Sequence, residues 1–277
     1  MNTRSEHTTL SVRDVTVGYY DRTVLHGVSL QVAAGERVAI VGANGAGKTT
    51  LLKVMADLLR PRAGGVHLGG HDLRAWSRRA LARRVGLVPQ ELVVPFSFTA
   101  RELVECGRTA YLSFFSAPSA ADRRAVDGAM SVTGTAAFGH RPVGELSGGE
   151  RQRVVIAMVL AQEPGIMLLD EPTQHLDLTR QGEILDLLVT LSHEGPLSIV
   201  ATMHDLNLAA QYFDRLIVLA GGRVVSDGPP VRVMRAEVLE AAYGGKLELV
   251  KTPSRDVPIV LPVRGARHRD DPANTEG

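Results

Sequence analysis

One cysteine, Cys106, stands among 277 residues, so no disulfide can close within the chain, and a reducing compartment is the simpler expectation. Long apolar runs are missing too. A membrane-spanning helix needs roughly 20 consecutive apolar residues, and stretches such as Val154–Ala161 are far shorter and flanked by Arg153 and Gln162. Neither sign of charge dominates: 31 Lys and Arg face 30 Asp and Glu, a formal net charge of +1. A field that weak gives no pointer to nucleic acid. Met1–Leu10 is polar and lacks the apolar core of a secretory signal. Internal repeats and long low-complexity tracts are absent. What remains is 44% apolar and 22% charged, enough to bury one large domain or two small lobes.

Alternating apolar residues predict strands over Leu10–Val17 and Val24–Val32, joined by a turn through Tyr20-Asp21-Arg22. Val38–Val41 reads as a buried strand running into a glycine-rich segment, with a helix from Lys48 to about Leu59 stopped by Pro61. Gly64–Gly70 predicts a hairpin piece and Val85–Val88 a short strand. Helical patterns dominate from Glu91 to Ala161, around Arg101–Gly107, Ala120–Val132 and Gly148–Ala161. Strand and helix then alternate: Ile166–Leu169, Leu178–His193, Leu197–Thr202, Leu206–Tyr212 and Leu216–Leu219. That alternation predicts a mainly parallel sheet covered on both faces. From about Arg264 the chain is polar and charged, and is expected to be mobile.

Gly42-Ala43-Asn44-Gly45-Ala46-Gly47-Lys48-Thr49 fits G-x-x-x-x-G-K-[ST], after a predicted strand and at the start of a helix. Gly42, Gly45 and Gly47 allow backbone N–H groups around Asn44 and Ala46 to curl about phosphate oxygens, and the helix N-terminus that carries Thr50 adds partial positive charge. Lys48 supplies a cation to the β- and γ-phosphates, and the Thr49 hydroxyl is a Mg²⁺ ligand. Ile166–Leu169 leads into Asp170 and Glu171, a strand ending in two carboxylates. After a phosphate loop, these suit a Mg²⁺ site at Asp170 and a base for the attacking water at Glu171.

Leu146-Ser147-Gly148-Gly149-Glu150 followed by Arg151-Gln152-Arg153 separates the P-loop families. It resembles the signature motif of ABC ATPases, and the resemblance covers roughly residues 10–250. It implies an α/β fold: a P-loop NTPase (RecA-like) core with an antiparallel β edge and a helical signature subdomain. The ATPase domain would span 8–250, with core segments 8–90 and 163–250 and the helical part about 91–162. Residues 251–277 would form a C-terminal extension, disordered from about 264.

The resemblance also implies that Ser147, Gly148, Gly149 and Glu150 cap the γ-phosphate held by the opposing subunit of a dimer. Tyr19, or its neighbour Tyr20, would stack on adenine. Gln90 would contact Mg²⁺ and link the core to the helical part, and His204 would read the γ-phosphate. Gln174-His175-Leu176-Asp177 matches the loop that crosses the dimer interface, with Asp177 in place; Gln174 replaces a small residue or Asn, which puts that loop's hydrogen bonding in question. ATP and Mg²⁺ are the implied cofactors. The implied partners are an integral membrane permease, a second copy of the chain and a substrate-binding protein, with no nucleic acid; the protein would sit peripherally on the cytoplasmic face of the membrane.

Val94-Pro95-Phe96-Ser97-Phe98-Thr99, Glu171–Asp177 and His204-Asp205-Leu206-Asn207-Leu208-Ala209 resemble importers of iron–siderophore complexes, haem or cobalamin. An exporter ATPase is the alternative, and a nucleic-acid-associated ABC ATPase a further one. For that last reading Arg74, Arg78, Arg79, Arg83 and Arg84 around Trp76 form a basic cluster at helical spacing, for which a solvated helix face is the preferred reading. The interval Thr50–Glu145 is too short for the coiled coils of DNA-associated relatives. Glu91–Tyr111 is expected to form part of a permease-docking groove, with Phe96, Phe98, Leu103 and Tyr111 either lining it or packing locally.

Overall fold

The computed structural model describes residues 9–92, 98–112, 117–193, 195–244, 247–252 and 255–263. Phe96 of the docking expectation, the Val94–Ser97 part of the importer resemblance and the tail from 264 lie outside them.

The chain opens with β1 (Leu10–Tyr19) and β2 (Arg22–Val32), an antiparallel pair whose turn centres on Tyr20 and Asp21. Next come β3 (Arg37–Val41), α1 (Lys48–Met55), β4 (Ala63–Leu68), β5 (His71–Asp72), α2 (Arg78–Ala82) and β6 (Val85–Val88). Three helices follow, α3 (Ala100–Glu105), α4 (Ala120–Val132) and α5 (Gly148–Leu160). The strand–helix alternation then returns with β7 (Ile166–Asp170), α6 (Leu178–His193), β8 (Ser198–Thr202), α7 (Leu206–Tyr212), β9 (Arg215–Ala220) and β10 (Arg223–Gly228). Two short helices, α8 (Pro230–Val233) and α9 (Ala236–Tyr243), precede a hairpin of β11 (Leu247–Thr252) and β12 (Arg255–Pro262).

The strands form a six-stranded sheet in the order β10-β9-β3-β8-β7-β6 and a four-stranded sheet β2-β1-β4-β5, besides the terminal hairpin. In the larger sheet β9, β3, β8, β7 and β6 run parallel and only the edge strand β10 is antiparallel. The side-chain period of two decides which core each residue joins. Ala39, Val41, Met167, Leu169, Ile199 and Ala201 face one cluster, shared with α6, α7 and α9. Val38, Ile40, Ile166, Leu168 and Val200 face the other, shared with α1 and the antiparallel sheet. Burial on both faces explains why these strands read as continuous apolar runs. This is the α/β architecture with an antiparallel edge that the motifs implied.

A third apolar cluster belongs to α3–α5, with Val104, Met130 and Val154 at its centre. All three helices begin with reciprocal capping boxes: Thr99 with Glu102, Ser119 with Asp122, and Ser147 with Glu150. Arg108 ties this block to itself and to the core. Its buried guanidinium donates to Asp122 at 2.9 Å, to Glu163 at 2.8 Å and to the Ala161 carbonyl at 2.7 Å, and it stacks on Tyr111 at 3.7 Å.

Some expectations need correction. The first helix ends at Met55 rather than Leu59, because Asp57 turns left-handed (φ 56°) well before Pro61. The arginine cluster is largely solvated, with Arg74, Arg78, Arg79 and Arg83 exposed; within it Arg74 pairs with Asp72, Arg83 donates to the Ala110 carbonyl and lies over Tyr111, and the half-buried Arg84 lies over Trp76. Leu103 is buried in the helical cluster and the Tyr111 hydroxyl donates to the Gln162 carbonyl, so both pack locally.

Candidate nucleotide-binding site

The site sits where β3, β7 and β8 end side by side, the carboxyl edge at which parallel α/β sheets present ligands. Gly42 leaves β3 at φ 153°, where a Cβ would lie 2.2 Å from the Leu219 carbonyl oxygen; no other residue fits there. Gly45 and Gly47 are also left-handed, at φ 77° and 104°. The loop therefore turns tightly enough to aim successive N–H groups inward before α1 begins at Lys48.

Lys48 is buried, and its ammonium donates to the carbonyls of Gly42 at 2.9 Å and Ala43 at 3.3 Å. Burial lowers its pKa, while Glu171 and Asp170 pull it back up. A cation held this way is short of negative partners, and phosphate supplies them. Asp170, itself buried, accepts from the Thr49 hydroxyl at 3.0 Å and from the Thr202 hydroxyl at 2.8 Å, both on Oδ1.

Glu171 follows with a left-handed backbone (φ 51°), an arrangement that costs of order 1–3 kcal/mol outside glycine. Its amide donates to Thr202 Oγ1 at 2.9 Å, and its carboxylate meets His204 Nε2 at 2.6 Å and Gln90 Nε2 at 3.3 Å. The strain thus turns the side chain out of the strand direction and between two neutral or cationic polar groups. That is a suitable mount for a base beside a triphosphate.

A cavity of about 700 Å³ opens over this arrangement. Tyr19, Asn44, Gly45, Ala46, Gly47, Lys48, Thr49, Thr50 and Glu171 line it. Tyr19 and Tyr20 both reach it, Tyr20 almost fully exposed. Sequence reasoning missed the rest of the wall: Arg22 to Val24, His26, Gly221 and Gly222. Gly222 (φ 72°) lies so close to β2 that a Cβ would sit 1.9 Å from the Val24 carbonyl oxygen, and its own carbonyl accepts from His26 N at 2.9 Å. The Gly221-Gly222 pair after a strand was the available signal.

The signature residues do not line that cavity. Ser147 caps α5, with its hydroxyl accepting from Glu150 N at 3.3 Å and its amide donating to the Glu150 carboxylate at 2.8 Å; that amide bond first, and the Ser147 hydroxyl beside it, keep the Glu150 carboxyl below its usual range. Gly148 lines a second cavity of about 290 Å³ with Gln90, Gln174, His175 and Leu176, while Gly149 packs beside the Arg180 side chain. Gln90 spans the two places, because Nε2 also donates to Gln174 Oε1 at 2.5 Å. The unexpected Gln174 is therefore bonded to the residue that touches Glu171. Asp177 accepts from Arg180 N at 2.9 Å at the start of α6, away from the phosphate loop's cavity.

The donor set suits Mg²⁺. Thr49 gives its proton to Asp170 and so keeps oxygen lone pairs for a cation, Asp170 adds charge, and Gln90 has a carbonyl oxygen beside its engaged nitrogen. Among the described residues no cluster of three His, Cys, Asp or Glu could hold a metal by itself.

Strand, glycine loop, buried lysine and paired carboxylates define a P-loop nucleoside-triphosphatase. The ABC transporter family model matches residues 25–174. The chain is 39% identical to the ferric enterobactin transport ATP-binding protein of Escherichia coli K12, over 90% of this chain and 92% of that one. It is 44% identical to the hemin import ATP-binding protein of Nocardia farcinica, over 88% and 83%. A dimeric bacterial ABC transporter cassette superposes with a TM-score of 0.70 at 29% identity, over 79% of this chain and 98% of that one. The chain belongs to the ABC transporter family, as an ATP-binding subunit that hydrolyses ATP. No helix among the described residues is long and apolar enough to cross a membrane.

Proposed function

We propose that two copies of the chain close around two ATP molecules, each held by Gly42–Thr50 of one copy and by Ser147–Glu150 of the other. The observation that carries this reading is the split described above: the anion-binding turn at Ser147 is built and capped, yet absent from the walls of its own chain's phosphate cavity. Tyr19 stacks on adenine, and Asp177 stands in the loop facing the second copy. Thr49, Asp170 and Gln90 would hold Mg²⁺, which would supply charge neutralisation beside the phosphates. Lys48 binds the same phosphates. Glu171 takes a proton from the attacking water, and His204 orients that carboxylate and senses the γ-phosphate. Phosphoryl transfer asks mainly for positioning and charge stabilisation, and neither half-site completes the cage alone.

Closure would drive a separate membrane permease at the cytoplasmic face, and reopening after phosphate loss would reset it. Likeness to ferric enterobactin and hemin transporters supports import of a metal chelate of the iron–siderophore, haem or cobalamin type, delivered by a substrate-binding protein. The test is Glu171→Gln in the full chain. It should bind ATP, elute as a dimer with ATP and release phosphate scarcely at all; a strict monomer with wild-type turnover would sink the proposal. Stimulation of the permease-bound ATPase by haem-, siderophore- or cobalamin-loaded carrier protein then assigns the cargo class.

A further inference from the structure

Thr202 is fully buried at the last position of β8. The parallel register sets it directly opposite Asp170 of β7, with Ile40 of β3 on its other flank. By strand alternation it shares the sheet face of Val200, Leu168 and Ile40, the face covered by α1. Its hydroxyl projects into the base of the phosphate site rather than into the opposite core. A hydroxyl with no access to water must find its partners inside the protein. Thr202 finds two, and they are the two acidic residues of the site: it donates to Asp170 Oδ1 at 2.8 Å and accepts from the amide of Glu171 at 2.9 Å.

We propose that Thr202 is a positioning residue for ATP hydrolysis, a cross-strand latch whose single hydroxyl fixes both carboxylates; the proposal rests on the roles assigned above to Asp170 and Glu171. On the Asp170 side, the Thr202 and Thr49 hydroxyls converge on the same oxygen and set the carboxylate's rotation. Such partners behind a metal-site ligand typically matter about 10- to 100-fold in metal affinity or activity. On the Glu171 side, the accepted amide bond holds the residue at φ 51°, the conformation that points its carboxylate toward His204 and Gln90. Valine at this position would preserve shape and burial while removing both bonds. Serine would preserve both bonds while removing a methyl group.

The experiment compares Thr202→Val, Thr202→Ser and Thr202→Ala in the full chain, with Glu171→Gln alongside. Thr202→Val should lower kcat about tenfold, leave KM for ATP within about twofold, and raise the Mg²⁺ concentration at half-saturation severalfold when binding of a fluorescent ATP analogue is titrated with Mg²⁺. The Glu171 amide should also exchange with solvent faster in the nucleotide-free protein, a readout independent of turnover. Thr202→Ser should recover most of each quantity. If Thr202→Val fails to fold, Ser and Ala form the decisive pair, since both lose the methyl and only Ser keeps the hydroxyl. Wild-type kcat, Mg²⁺ dependence and Glu171 exchange in Thr202→Val, or equal behaviour of Ser and Ala, overturns the latch. Full turnover by Glu171→Gln would instead overturn the catalytic reading on which the latch rests, so the two failures are distinguishable.

Discussion

The phosphate site and the Arg108 hub use the same kinds of side chain to opposite ends. At the hub, a buried cation meets Asp122, Glu163 and a carbonyl, and Asp122 is capped in addition by the amide and hydroxyl of Ser119. Charge there is balanced within the chain. At the phosphate site, buried Lys48 reaches only carbonyl oxygens, and Glu171 is held in a strained conformation facing a cavity. Charge there is left for a ligand to balance. A buried ion that is fully paired in its own chain secures a fold, and one whose partners are incomplete marks a site.

The largest effect expected from breaking the contrast is at Glu171. Exchange to Gln keeps size and hydrogen bonding but removes the base, and should lower kcat about 1,000-fold, equivalent to about 4 kcal/mol of barrier. Thermal stability should change by no more than about 1 kcal/mol, because the exchange keeps the side-chain volume and weakens only the contacts with His204 and Gln90. Phosphate-release assays and a melting curve on the same preparation check both halves of the statement.

Arg108→Ala should do the reverse. It leaves Asp122 buried without its cation and should cost about 3 kcal/mol of stability, lowering Tm by roughly 8 °C. Turnover per folded molecule should stay near wild type. The same pair carries a pH signature. Hydrogen bonds from Ser119, and then from Arg108, hold the Asp122 carboxyl at about 2 against an ordinary 3.8. A carboxyl whose pKa is depressed on folding contributes its stability in full above the ordinary value and loses it as pH falls toward the folded one. Acid melting between about pH 4 and pH 2 should therefore be steeper in the wild-type protein than in Arg108→Ala.

The contrast also explains what could be read from the sequence. Lys48, Thr49, Asp170 and Glu171 were legible because each is tied by short spacing to the end of an apolar strand. Gln90, His204 and Tyr19 also stand at or just after strand ends, but a lone residue of those types there specifies no chemistry, and they became readable only through the order of motifs. Thr202 was invisible as a functional residue: its meaning lies in the register between β8 and β7, which a lone threonine at a strand end does not disclose. The hub was hidden for a similar reason, since Arg108 and Glu163 are 55 positions apart. The segment after Leu219 was left without assigned elements beyond a mobile tail, yet it contains β10, α8, α9 and the terminal hairpin. That hairpin is held partly by Asn207, whose side chain makes reciprocal bonds with the Val260 backbone, a tertiary contact with no local pattern.

Ser147 sits between the two regions and offers the smallest but most discriminating effect. Within its own chain it is one of three similar helix caps, alongside Thr99 and Ser119, and as such its loss should cost about 1 kcal/mol. A cap alone would make Ser147→Ala and Thr99→Ala alike: slightly less stable, with equal turnover. If Ser147 instead completes the phosphate cage of a second copy, Ser147→Ala should additionally lose about tenfold in kcat while Thr99→Ala does not. Mixing sharpens the point. In a mixed dimer of Lys48→Ala and Ser147→Ala chains, both lesions fall in one composite site, and the other combines an intact phosphate loop with an intact signature turn. The combined preparation should therefore release phosphate faster than the average of the two impaired preparations measured apart. A site built wholly within one chain would give no recovery, because every copy would then carry a lesion of its own.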